Sequence, residues 1–190
     1  MSAWALPVPR KVATTGSAVQ RNVTRLTIDV GSTAPDFRLR YEDAVPPIPM
    51  DQVRELVVRQ APWQEMLDLV DAVAPYGFLI YGTTDSDPLM PLAGDEGSCV
   101  AYLMGNHTVA ERMFRYEPAV LLYAPLRTAI WAGSDGAAQF TFDKPSDHFG
   151  SFGNPAVADV GVELDRKLAS LLDHLGVAVP EALLTSGAAG

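Results

Sequence analysis

The sequence predicts an α+β fold, in which an antiparallel or mixed sheet packs against helices as a two-layer sandwich. Three observations carry this expectation. Segments with period-two alternation of apolar and polar residues come in pairs joined by short links. Helical segments are marked by Pro, Asn or Asp at their starts and by Gly or Pro at their ends. No G-x-G-x-x-G follows a strand, and strand and helix do not alternate strictly, which sets aside a dinucleotide-binding fold. Of the 190 residues, 48% are hydrophobic, and a domain of this length buries roughly 70% of its unfolded surface.

Val23 to Val30 reads as the first strand, with Leu26, Ile28 and Val30 alternating with Arg25, Thr27 and Asp29. Gly31-Ser32-Thr33 turns the chain, and Pro35 opens a short helix to about Asp43. Pro46, Pro47 and Pro49 end that helix. Asp51 is expected to cap the next one, with Val53, Leu56 and Val57 inward. Helix restarts at Pro62, where Trp63, Met66, Leu67 and Val70 recur at helical spacing, and stops at Pro75 and Gly77. Phe78 to Tyr81 is a short buried strand. Asp85 to Gly97 reads as a long loop, a feature that is often functional. Ser98 to Met104 returns as strand.

Asn106 is the expected N-cap of a helix with Val109, Ala110, Met113 and Phe114 inward. Pro118 stops it. Ala119 to Ala132 reads as strand interrupted near Pro125, and Gly133 to Gly136 as a turn. Gln139 to Asp143 is the second arm of a hairpin, with Phe140 and Phe142 on one face. Asn154 and Pro155 begin the best-marked helix, whose stripe of Val157, Val160, Leu164, Leu168, Leu171, Leu172 and Leu175 runs for roughly 30 Å to Gly176. Gly105-Asn-His-Thr-Val-Ala and Gly153-Asn-Pro-Ala-Val-Ala echo each other. Capping chemistry explains the echo more simply than a duplication. The organisation expected is a flexible arm over 1–21, one domain over 22–178 and a tail over 179–190.

The net charge of -9 argues against nucleic-acid backbones and anionic membranes as partners. Cys99 is the single cysteine, so no internal disulfide is expected. Neither a signal peptide nor a membrane span is evident. A cytoplasmic, bacterial-type protein is the expectation.

Tyr102-Leu-Met-Gly-Asn-His-Thr-Val-Ala-Glu-Arg-Met-Phe, Tyr123-Ala-Pro-Leu-Arg, Phe142-Asp-Lys-Pro-Ser and Gly153-Asn-Pro together resemble the domain of unknown function 302 family. The resemblance runs from about Leu26 to Leu175 and is clearest from Tyr102 onward. It implies a compact α+β sandwich, often found as a homodimer, and supports the fold far more than any activity. This chain carries His107 where the family commonly has Pro, and it adds helix between Pro46 and Pro75.

His107, His148 and His174 show no metal-ligand spacing and there is no C-x-x-C, so zinc is not expected. The acidic loop lacks the residue order of a calcium site. Haem is the one cofactor with candidate axial ligands, His107 and Met104, but no C-x-x-C-H accompanies them. His107 at a helix start sits where backbone N–H groups can attract an anion, and its imidazole could move protons there. Arg127 shares alternation with Ala129 and Trp131, which is consistent with a covered face, where a structural pair with Asp143 would satisfy it. Cys99 reads as a small core thiol rather than a nucleophile. Tyr102, Tyr123, Trp131, Phe140 and Phe142 are pocket-lining candidates, though ordinary core residues by composition.

Two functional readings follow. In the first, the chain is a binding or sensing domain for a polar or anionic small molecule, held by Asn106, Tyr102, Tyr123 and Arg127. In the second, it is a cofactor-independent lyase, isomerase or cyclase, in which His107, Glu96 or Asp143 transfers protons.

Overall fold

Asn154 accepts the Ala156 N–H at the head of the longest helix, and Pro155 fills its first position, where no N–H is needed. From there the helix runs to His174 and turns Val157, Val160, Leu164, Leu168, Leu171 and Leu172 inward. The computed structural model describes residues 16–134 and 136–185. The arm expected over 1–21 therefore lies largely outside the described residues.

In chain order the elements are β1 (Arg25–Asp29), α1 (Ala34–Ala44), α2 (Met50–Val58), α3 (Trp63–Val73), β2 (Leu79–Asp85), β3 (Ser98–Gly105), α4 (His107–Phe114), β4 (Leu126–Ala132), β5 (Ala138–Asp143), α5 (Pro145–Gly150), α6 (Pro155–His174) and α7 (Glu181–Leu184). Short 3-10 turns cover Met90–Ala93 and Pro118–Leu122. The five strands form one sheet in the order β1-β5-β4-β3-β2, with every neighbour antiparallel. Helices cover one face, which is the expected α+β sandwich.

The inner face is set by strand phase. Leu126, Thr128, Ile130 and Ala132 of β4 are buried, as are Phe140 and Phe142 of β5 and Val100, Tyr102 and Met104 of β3. These pack on Phe37 and Tyr41 of α1 and on the apolar stripe of α6. The Tyr41 hydroxyl contacts Thr128 Oγ1 at 3.1 Å and Met104 Sδ at 3.2 Å, so this polar tip deep in the core has partners. Helix α5 lies so close to α6 that a Cβ on Gly161 would stand 3.0 Å from Phe149 Cβ and Ser146 Cα. A second, smaller core of Ile48, Val53, Met66, Val70, Ala74 and Leu79 holds α2 and α3. This is the helical addition between Pro46 and Pro75.

Several expectations are corrected. Residues 119–125 are not strand: Pro118–Leu122 is a 3-10 turn, Ala124–Pro125 is a cis peptide, and β4 begins only at Leu126. An apolar run alone does not distinguish these conformations. Pro49, not Asp51, precedes α2, and Asp51 pairs with Arg54 at 2.7 Å. Val57 and Phe114 are exposed rather than inward. The loop after β2 is shortened by the extension of β2 to Asp85 and by the turn at Met90. In the segment read as a tail, α7 buries Leu183 against the core. The face of β4 that carries Arg127 and Trp131 is the open face, because the opposite phase supplies the larger continuous apolar surface.

The two Gly-Asn helix starts need glycine for different reasons. Gly153 has φ +68°, whereas a Cβ on Gly105 would press on Pro125 at 3.1 Å. Shared capping by Asn, rather than shared backbone geometry, accounts for the echo.

Candidate functional site

The cis Ala124–Pro125 step turns the chain from the 3-10 segment into β4. This turn places Tyr123 and Arg127 on the rim of a cleft. On the other side, β5 ends at Asp143, and Pro145 starts α5 at once, which brings His148 back over the strand end. Arg21, from the segment before β1, closes the third side. The cleft has a volume of about 270 Å³ and is lined also by Leu122, Pro125 and Leu126.

Its centre is the imidazole of His148, whose side chain is 13% exposed. The ring stacks on Tyr123, with centroids 4.6 Å apart and planes at 18°. The Arg21 guanidinium lies over the Tyr123 ring, 4.2 Å from its centroid, in a cation–π arrangement. Its NH1 also reaches His148 Nδ1. A guanidinium can only donate, so Nδ1 is the acceptor and the imidazole proton resides on Nε2. That nitrogen faces Asp143 Oδ2 at 3.6 Å. Burial, followed by the nearby Arg21 charge, holds the His148 pKa below the usual histidine range, and this outweighs the opposing pull of Asp143 and Asp147. His148 is thus held neutral with its basic nitrogen under Arg21.

The carboxylates here are engaged. Asp143 Oδ1 accepts from Arg25 Nε at 3.1 Å, and Asp147 Oδ2 accepts the Thr24 N–H at 2.7 Å. Arg127 stands beside Asp143 across the hairpin, one step past the Thr128–Phe142 pair. Yet Arg127 is exposed and makes no ion pair or hydrogen bond with the described residues. The expected Arg127–Asp143 pair is therefore replaced by Arg25–Asp143, and Arg127 remains a cation without a partner among them.

The remaining candidates lie elsewhere. Asn106 is fully used in structure: its Nδ2 donates to Gly77 O at 3.0 Å, and its Oδ1 accepts from Thr108 N at 2.8 Å and Val109 N at 3.4 Å. The His107 N–H donates to the Tyr81 hydroxyl at 2.9 Å, and burial pushes that phenol up to about 12. The first-turn donors of α4 are thus already occupied. The His107 ring meets the Tyr81 edge, and burial lowers its pKa.

Met104 is buried beneath Tyr41, away from solvent. Tyr102 is a core residue whose hydroxyl donates to Glu42 Oε1 at 2.7 Å, within a chain that continues through Arg38 to Asp85. Glu96 is exposed in the loop before β3. Burial raises the pKa of the Cys99 thiol, with Asp87 and Asp85 adding to the effect. Among the described residues, no group of three or more His, Cys, Asp or Glu side chains is placed to hold a metal ion, and no helix is long and apolar enough to cross a membrane.

Of the residues singled out in the sequence, the structure brings together Tyr123, Arg127 and Asp143, and leaves Asn106, His107, Tyr102 and Glu96 apart from them. It adds Arg21 and His148. A signal for His148 was present: Lys144-Pro145 directly after a strand marks a helix start by the same rule that marks α6. Nothing local marks Arg21.

The family model for domain of unknown function DUF302 matches residues 60–175. That span contains Tyr123, Arg127, Asp143 and His148, and Arg21 precedes it. The fold is similar to a crystal structure described as an uncharacterized conserved protein DUF302 from Bacillus stearothermophilus, with TM-score 0.56 and 18% identity, over 80% of this chain and 97% of that one. No curated protein matches the chain.

Proposed function

The chain belongs to the DUF302 family, and on that premise we propose that the cleft between β4 and α5 binds a small anionic molecule. The observation that carries this reading is Arg127. It is a guanidinium without an ion pair among the described residues, on the rim of a cleft that also holds Arg21 and His148. On a chain of net charge -9, the three arginines around the cleft outnumber its two carboxylates, and Arg127 is the cation left over, suited to a carboxylate or phosphate-type group. The Tyr123 ring offers an apolar wall beside it, a common balance in small-molecule sites.

Sulfate is a suitable probe, because its charge does not change across the working pH range. Titrating it into ¹⁵N-labelled protein at constant ionic strength should give saturable shifts at Tyr123, Arg127, Asp143 and His148. Weak, non-saturating shifts spread over the surface would rule the reading out.

A second reading draws on the Asp143–His148 contact. A neutral imidazole with one nitrogen turned to a carboxylate can accept a proton from a bound substrate at the other, once Arg21 moves off it. In that case His148→Gln abolishes turnover while leaving Arg127-dependent binding in place. The reading is discarded if turnover survives the substitution.

A further inference from the structure

Immediately before β1 the backbone is tied down at Thr24. Its N–H donates to Asp147 Oδ2 at 2.7 Å, and its carbonyl accepts from Lys144 N at 2.8 Å. Residues 16–23, which precede this anchor, run without regular secondary structure and are mostly exposed. Arg21 alone turns back, lies on the Tyr123 face and donates to His148 Nδ1. A strap anchored at Thr24 therefore places a guanidinium over the basic nitrogen of the cleft.

We infer that Arg21 is a proton-controlled plug: it occupies the cleft while His148 is neutral, and an anion takes its place when His148 gains a proton. The inference rests on the anion reading of the cleft and adds its regulation. The chemistry is local. Neutral His148 accepts from Arg21 at Nδ1. Protonation adds a hydrogen there, so donor faces donor and two cations face each other. The contact is then lost.

The same proton turns Nδ1 into a donor for an anion, with Arg127 as a second cation on the rim. The other charged groups around the ring come from three elements: Asp143 of β5 faces Nε2, Asp147 lies on α5 itself, and Arg25 of β1 neutralises Asp143. The two carboxylates support the protonated ring once Arg21 has left. Arg21 precedes the segment matched by the family model, so the plug lies outside the matched region.

The test compares wild type and Arg21→Gln for sulfate affinity by calorimetry, and follows His148 titration by NMR. At about pH 7.5, above the ordinary histidine value near 6.5, the variant is expected to bind sulfate roughly fivefold or more tightly than wild type. At a second pH, set below the His148 midpoint that the NMR titration reads, the gap should narrow, because the wild-type strap has then left. The His148 pKa should be higher in the variant than in wild type.

Weaker sulfate binding by the variant at both pH values would make Arg21 part of the binding site and overturn the plug. So would equal affinities, or an unchanged His148 pKa. If sulfate binds neither protein at either pH, the anion reading of the cleft fails. The His148 titration then separately decides whether Arg21 holds the imidazole in its neutral form.

Discussion

The imidazole of His148 lies nearly flat on the ring of Tyr123, with centroids 4.6 Å apart and planes at 18°. The stack shields one face of His148 from water, and burial is the leading cause of its lowered pKa. Tyr123→Ala should therefore raise the His148 pKa toward the ordinary value near 6.5. It also removes the surface on which Arg21 rests. Tyr123→Phe keeps the ring and should leave the titration nearly unchanged. NMR titration of the His148 ring protons in the three proteins checks both expectations. An unshifted pKa in Tyr123→Ala would show that the stack does not control the charge.

A second prediction concerns the buried pair beneath α5. Lys144 Nζ lies 3.7 Å from Asp165 Oδ2, and the two side chains are 8% and 3% exposed. Asp165 also accepts the Ser146 N–H at 3.0 Å, and burial raises its pKa. Removing only the cation leaves a buried carboxylate unpaired, so Lys144→Met should cost about 3 kcal/mol at neutral pH. The deficit should shrink in acid, where Asp165 is neutral. Urea unfolding at two pH values measures it, and a pH-independent loss would contradict the assignment.

Stability on the acid side should follow the histidines. Burial lowers the pKa of both His107 and His148, so between the folded and unfolded values the unfolded chain binds more protons. Stability is then full above about pH 6.5 and falls as the pH drops through that value toward the folded pKa values. Asp165, whose pKa is raised, acts with the opposite sign in the carboxylate range. His107→Gln should flatten part of the slope between about pH 7 and pH 5. A melting temperature unaffected by pH in that window would contradict the burial of both rings.

Much of the fold was legible in local chemistry. Alternation marked β1 and the β4–β5 hairpin, and Asn106, Asn154 and Pro155 marked α4 and α6. Legibility failed where two structures share one pattern. The apolar residues after Pro118 fit a strand or a 3-10 turn equally well, and Leu121 and Leu122 prove exposed. Alternation also divides β4 into two faces without saying which is covered, and Arg127 lies on the open one rather than the covered one.

The candidate cleft was partly legible. Tyr123, Arg127 and Asp143 each stood out by residue type and position. Their assembly with Arg21 and His148 depends on contacts between β1, β5 and α5 that are distant in sequence. His107 stands out in the sequence only by its helix start, whose donors Asn106 and Tyr81 already satisfy.

On the proposed reading, Arg127 is the cation that receives an anion in the cleft. Arg127 is exposed and unpaired among the described residues, so Arg127→Gln should leave folding stability within about 0.5 kcal/mol of wild type. Sulfate affinity of the two proteins at a pH below the His148 midpoint read by NMR, measured by calorimetry at fixed ionic strength, is the most direct test. The prediction is saturable binding by wild type that falls roughly tenfold or more in Arg127→Gln, as loss of a charge-assisted contact requires. Equal affinity in the two proteins, or no saturable binding by wild type, would contradict it.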